Sequence, residues 1–159
     1  MKKTIAVFAL CLLLVLSVSA QKVNEVDAIK AVIDRETNAF FNIDYDTWMN
    51  SWIHAPHAYW SFVDSAGIVQ YEGWKAIEVG FNDYFITSKP TPFKVDRTWL
   101  EVRVYGTGAF ARFKQTITSN GVTGGEQTEI RILEKDKNAW KIVLVGVLKN
   151  NKVQPQNMN

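Results

Sequence analysis

From Lys94 to Lys149 the sequence reads as four long stretches of period-two alternation, broken only by short turns. The stretches are 94–105, 109–119, 125–135 and 140–149. The breaks are Gly106-Thr107-Gly108, a loop around Asn120-Gly121, and Asp136-Lys137-Asn138. Turns this short join antiparallel neighbours, because a parallel crossover needs roughly a dozen residues or more. A meander therefore dominates what the chain can fold into. A shorter strand at 58–64 turns at Ser65-Ala66-Gly67 into a partner at 68–71.

Helical spacing occupies the rest. Asn24 is placed to cap a first helix whose apolar stripe runs Val26, Ile29, Ile33, Phe40, with Glu36 on the same stripe. Asp44 is placed to cap a second helix carrying Tyr45, Trp48, Met49 and Trp52 on one face, ended by Pro56. A third follows Gly73, with Trp74, Ile77, Phe81, Tyr84 and Phe85 as its stripe and Glu78 among them. Pro90 and Pro92 close that region. Helices toward one end and a meander toward the other predict an α+β domain, not a doubly wound one.

The first residues read differently. Lys2 and Lys3 precede an apolar run from Ile5 to Leu16, and Ser17-Val18-Ser19-Ala20 ends in small residues. This is the order of a secretory signal peptide, with cleavage expected after Ala20. Twelve apolar residues are short of the roughly 20 that a spanning helix needs, so no stable membrane insertion is expected after cleavage. The expected organisation is a signal peptide at 1–20, one domain at 21–150 and a disordered polar tail at 151–159. Export to the periplasm or the extracellular medium follows. Cleavage removes two of 18 basic residues, leaving 16 against 16 acidic ones, so nothing attracts nucleic acid. It also removes Cys11, the single cysteine, which excludes thiol chemistry in the mature chain.

Alternation divides the meander into two faces. One would carry Leu100, Val102, Val104, Phe113, Ile130, Ile132, Val143, Val145 and Val147. The other would carry Arg97, Trp99, Glu101, Arg103, Arg112, Lys114, Glu129 and Arg131. Either the charged face lines an interior, or it is a salt-bridged outer surface over an apolar interior. Metal ligation at His54 and His57 lacks a third histidine. His57 can instead act as an acid or base near neutral pH. Gly106-Thr107-Gly108 and Gly124-Gly125 connect strands, so no helix N-terminus stands behind them to hold a phosphate. No Gly-x-Ser-x-Gly elbow occurs. No metal and no other cofactor is expected.

The order of elements, with Asn42-Ile43-Asp44, Ala55-Pro56-His57-Ala58, Asp64-Ser65-Ala66-Gly67, Glu72-Gly73-Trp74-Lys75-Ala76-Ile77, Val102-Arg103-Val104-Tyr105-Gly106 with Ala109, and Trp140-Lys141-Ile142-Val143, resembles the nuclear-transport-factor-2-like superfamily. That superfamily includes SnoaL-like polyketide cyclases and ketosteroid isomerases. The resemblance covers nearly all of the expected mature chain. It implies a cone, a curved antiparallel sheet wrapped over three N-terminal helices, with a pocket inside and homodimerisation through the sheet. Carried over from the isomerases, the general base falls on Asp64, while the two oxyanion donors fall on Glu36 and Arg131, both changed in residue type. His57 stands where family members often have Asp. With the charged face inward, Glu36, Trp52, Trp60, Arg97, Trp99, Arg112, Glu129 and Arg131 become candidate ligand-binding residues, and Asp64 with His57 candidate catalytic ones. The implied function is cofactor-free acid–base chemistry, of isomerase, cyclase or hydrolase-like type, on a polar or anionic small molecule. The alternative is a non-catalytic ligand carrier or protein-interaction module.

Overall fold

The computed structural model describes residues 25–149. The expected signal segment, the Asn24 cap and the tail at 151–159 lie outside the described residues. Helix α1 covers 25–41 of them, α2 is Tyr45–Asn50 and α3 is Trp74–Thr87. The strands are β1 Tyr59–Asp64, β2 Gly67–Glu72, β3 Phe93–Tyr105, β4 Gly108–Ser119, β5 Val122–Thr123, β6 Gln127–Asp136 and β7 Ala139–Lys149.

Local chemistry sets the boundaries. The Asp44 carboxylate accepts from Thr47 N–H at 3.0 Å and starts α2, as its sequence position predicts. Lys137 and Asn138 both take positive φ, 47° and 71°. That is the mirror-image turn whose twist suits a two-residue hairpin. Asn120 and Gly121 do the same, at 50° and 76°. The short β5 pairs with β4 beyond the Asn120-Gly121 turn.

One curved sheet results, in the order β2-β1-β7-β6-β4-β3. The β3-β4-β6-β7 neighbours are antiparallel, as the short turns require. The β1–β7 pair is parallel, so the sheet is mixed and not wholly antiparallel. Its concave side wraps the helices. Ile29 and Ile33 of α1, Trp48 of α2 and Ile77 of α3 meet Phe113, Leu133, Ile142 and Val145 of the sheet, and each is essentially sealed from solvent. Burying such a side chain contributes roughly 1.5–3 kcal/mol, and this contact is what closes the cone.

The division into one apolar and one charged face is wrong. Pairing puts Trp99 opposite Phe113, Phe113 opposite Glu129, and Glu129 opposite Val147. Those four share the concave side. Residues facing inward are Arg97, Trp99, Val102 and Val104 on β3, Phe113 and Gln115 on β4, Glu129, Arg131 and Leu133 on β6, and Val145 and Val147 on β7. Glu101, Arg103, Arg112 and Lys114 face outward, together with Leu100, Ile130 and Ile132. Irregularities at Trp99/Glu101 and Ile132/Leu133 shift the phase along β3 and β7. Val102, Val104, Ile130 and Val145, grouped on one face by alternation, therefore cannot together meet a second copy. Only Ile130 of the four is on the convex side.

Candidate functional site

A cavity of about 140 Å³ opens between the concave sheet and the helices. Its walls are aromatic and aliphatic: Phe40 and Phe41 at the end of α1, Trp48, Trp60, Phe62, Phe81, Ile117, Val145 and Val147. Phe81 meets the Trp60 ring edge-on at 4.9 Å, and Phe40 stacks on Tyr84 at 4.4 Å, which fixes the wall. For scale, an engineered apolar cavity of roughly 150 Å³ holds one benzene.

Polar groups gather on one side: Glu36 and Thr37 from α1, Gln115 from β4, and Gln127, Glu129 and Arg131 from β6. The helix stripe and the strand alternation bring them together from distant parts of the chain. Arg131 Nη2 donates to Glu129 Oε2 at 2.5 Å and lies 3.7 Å from Glu36 Oε2. Glu129 Oε1 accepts from the side-chain amides of Gln127, at 2.7 Å, and of Gln115. Trp48 Nε1 donates to Glu36 Oε1 at 3.1 Å. The Thr37 hydroxyl is 2.9 Å from the Ile33 carbonyl and 3.5 Å from Glu36 Oε2. Its single proton goes to the nearer carbonyl, so the hydroxyl does not donate to Glu36 Oε2.

Burial pushes the Glu36 carboxyl up from the ordinary value, and Glu129 nearby adds to the rise. Arg131, Trp48 and Arg97 oppose it. The Nε and Nη1 of Arg131 are buried and find no hydrogen-bond partner among the described residues. Leaving buried donors unmade costs roughly 1–3 kcal/mol each, a cost the fold carries at Arg131.

Arg97 stands behind this group. Its guanidinium donates to Gln115 Oε1 at 2.8 and 3.1 Å and to Thr37 Oγ1 at 3.0 Å, and pairs with Asp34. By occupying Gln115 Oε1 it turns the Gln115 amide nitrogen toward Glu129. Burial lowers its pKa from the ordinary value.

The candidate residues from the sequence separate accordingly. Glu36, Trp60, Glu129 and Arg131 line the cavity. Arg97 supports it from behind. Trp99 is inward but packs on Phe113, at 5.0 Å, and Arg97. Trp52 is a core residue beside Trp48 and Trp74, its Nε1 unpartnered among the described residues. Arg112 is on the convex side, beside Glu101 at 3.8 Å. Asp64 is at the β1–β2 turn, where it accepts from Ala66 N–H at 2.8 Å. His57 is exposed, 3.3 Å from Glu134. Neither Asp64 nor His57 borders the cavity. Thr37, Gln115 and Gln127 escaped the sequence reading. Gln115 had a signal, since it falls in phase with the buried Ala111 and Phe113. Among the described residues, no three of His, Cys, Asp or Glu converge as metal ligands.

No family model matches the sequence, and no curated protein does. Solved structures do match. An NTF2-like protein with a cystatin-like fold from Novosphingobium aromaticivorans superposes with a TM-score of 0.68 at 15% identity, over 86% of this chain and 89% of that one. A Streptomyces avermitilis protein of the NTF2-like family, provisionally named a dehydratase, gives 0.68 at 12%, over 80% and 98%. A Thiobacillus denitrificans protein, provisionally named a calcium/calmodulin-dependent protein kinase type II association domain, gives 0.63 at 14%, over 77% and 94%. The chain has the nuclear-transport-factor-2-like fold. Its neighbours include both an enzyme name and an association-domain name, so the fold leaves the function to the site.

Proposed function

We propose that the chain is an exported, SnoaL-like pocket protein that admits a compact organic molecule and performs cofactor-free acid–base chemistry on it. The single observation that carries this is the buried Glu36–Arg131–Glu129 group bordering the cavity. Two carboxyl groups share one guanidinium, and their surroundings differ. Glu129 accepts on both oxygens and is the carboxylate of the pair. Glu36, its pKa raised by burial, would serve as the acid. Two carboxyl groups in unlike surroundings are how a site divides acid and base roles. Arg131 would support oxygen charge that develops beside it. Association into a homodimer would use the convex face, where Leu100, Ile132 and Leu148 are exposed.

One observation favours the non-catalytic carrier: Glu129 is already engaged by three donors, and Asp64 is not among the residues that line the cavity. A thermal-shift screen of one-ring organic compounds identifies ligands, and NMR then follows their turnover. Conversion by the wild type and not by Glu36→Gln supports the enzyme. Binding without conversion by either supports the carrier. The absence of any binder removes both. Export is tested by N-terminal sequencing of secreted protein, which should begin at Gln21.

A further inference from the structure

Ile43, Asn120, Lys137 and Asn138 are the non-glycine residues with positive φ among those described. Asparagine tolerates that region, and the hairpin at Lys137 demands it. Ile43, at 58°, is β-branched, so its Cβ is crowded against the following carbonyl. Hydrogen bonds that end α1 enforce the conformation. Ile43 N–H donates to Phe40 O at 3.2 Å and Asp44 N–H to Ala39 O at 2.9 Å. This pair defines a Schellman turn, whose left-handed position ordinarily holds glycine. Strain of this kind persists only where the surroundings over-determine it, and it gathers at clamps and moving parts.

The strained turn adjoins the cavity. Phe40 and Phe41, just before it, both line the wall, but they are held differently. Tyr84 of α3 stacks on Phe40 at 4.4 Å, and its hydroxyl donates to the Phe40 carbonyl at 3.1 Å. Across the turn, Tyr45 donates to Glu78 of α3 at 2.8 Å. So α3 clamps both ends of the turn. Phe41 reaches the opposite way, to the ring of Phe93 at the start of β3, with centroids 5.2 Å apart. The segment that carries Phe93 is fixed. Pro92 O accepts from Asn120 N–H at 3.0 Å, and the Thr91 and Ser119 hydroxyls are 3.2 Å apart. Of the two rings, Phe41 is the one whose position depends on the strained turn.

We propose that Phe41 is a gate of the cavity and that Ile43 sets how often it opens. When Ile43 leaves the left-handed region, the last turn of α1 unwinds and Phe41 parts from Phe93. A small organic molecule then passes between α1 and the start of β3. The gate presupposes the pocket proposed above. Ile43 is a positioning residue that acts through Phe41. Tyr84 opposes opening, because it gives the Phe40 carbonyl a second donor.

Hydrogen exchange of the full chain at pH 7 reads the turn without any ligand. The Ile43 and Asp44 amides should exchange at least about tenfold faster than that of Ile142, which donates to Ser51 O at 2.8 Å. Ile43→Gly should slow exchange at residues 43 and 44 by about fivefold, with Ile43→Asn between the two, because both replacements tolerate a left-handed backbone. Tyr84→Phe should speed it. Wild-type amides at 43 and 44 no faster than Ile142, or unchanged in Ile43→Gly, overturn the gate. Benzene, which suits a cavity of about 140 Å³, reads passage. In NMR titrations followed at the Trp48 indole N–H, Ile43→Gly should slow entry and exit alike, by about fivefold, and leave Kd within about twofold. A changed Kd with unchanged rates would make Ile43 a structural residue only, and overturns the gate while the pocket stands. If benzene does not bind the wild type, the pocket reading fails and the gate with it, whatever the amides show.

Discussion

The two sides of the sheet carry the same kinds of residue with opposite consequences. On the concave side Glu129 and Arg131 are sealed from water, and Glu129 accepts from Gln115, Gln127 and Arg131. On the convex side Glu101, Arg103, Arg112 and Lys114 form pairs that remain wet, such as Lys114 with Glu126 at 2.9 Å. An exposed pair is worth about 0–1 kcal/mol. Removing one partner of a buried pair costs roughly 3–5 kcal/mol. Strand β6 is where the sides exchange character, with Glu129 and Arg131 inward and Ile130 and Ile132 outward. A strand inverted in this way is unfavourable for a plain core. It creates at once a polar interior and an apolar exterior patch.

The widest gap between the two sides is expected at Arg131. Arg131→Leu should destabilise the fold by roughly 3–5 kcal/mol in urea unfolding, because Glu129 and Glu36 lose their shared cation. Adding Glu129→Gln should recover part of that loss, since the stranded charge is then gone. A double variant no better than the single one would mean that shape, not charge, dominates on the concave side.

Next comes the pH response of Glu36. Its folded-state pKa is above the ordinary 4.5, so above that pH the folded protein keeps a proton that the unfolded chain releases. Its contribution to stability is full below pH 4.5 and is lost as pH rises through the folded value. Glu36→Gln should abolish that decline while keeping an acceptor for Trp48 Nε1. The check is a series of melting temperatures from pH 4 to 9. Parallel curves for the two proteins would show that Glu36 titrates normally.

Much of this fold was legible in the sequence because its signals are local. Asp44, the Asn120-Gly121 and Lys137-Asn138 turns, and the stripes Ile29–Ile33–Glu36 and Trp74–Ile77–Phe81 each act within a few residues. Glu36, Trp60, Glu129 and Arg131 were legible as candidates because polar or aromatic groups on such stripes must find partners. The phase of one strand against another was not legible. Alternation says which residues of β4 share a side with Phe113, but only pairing says that Glu129 is opposite it. The parallel β1–β7 contact joins segments far apart in the chain, with no turn between them to announce it. The position of Asp64 outside the cavity lining was not legible, because a turn-capping carboxylate and a catalytic one look alike in sequence.

A smaller effect on folding is expected from the inverted residues of β6 on the outside. Ile132→Asp replaces a side chain that is 38% exposed, so the protomer should lose less than about 1 kcal/mol. If a second copy covers this face, the same change should convert a dimer to a monomer in light scattering at micromolar concentration. A wild type already monomeric there would remove the convex face as an association surface and leave the concave site untouched.

The smallest effect belongs to Arg112, and its smallness is informative. Arg112 and Arg131 are both arginines on neighbouring strands, both near a glutamate, and sequence alternation grouped them together. Arg112 is 3.8 Å from Glu101, with its side chain about half exposed. Water already solvates both partners, so removing one leaves no buried charge. Arg112→Ala should change stability by less than about 0.5 kcal/mol in urea unfolding. Adding 0.5 M salt should shrink even that difference, because screening acts on exposed charges, whereas the Arg131→Leu loss should persist. An Arg112→Ala loss of several kcal/mol that salt does not reduce would mean that another surface buries the convex face, and that the two sides differ less than the isolated fold implies.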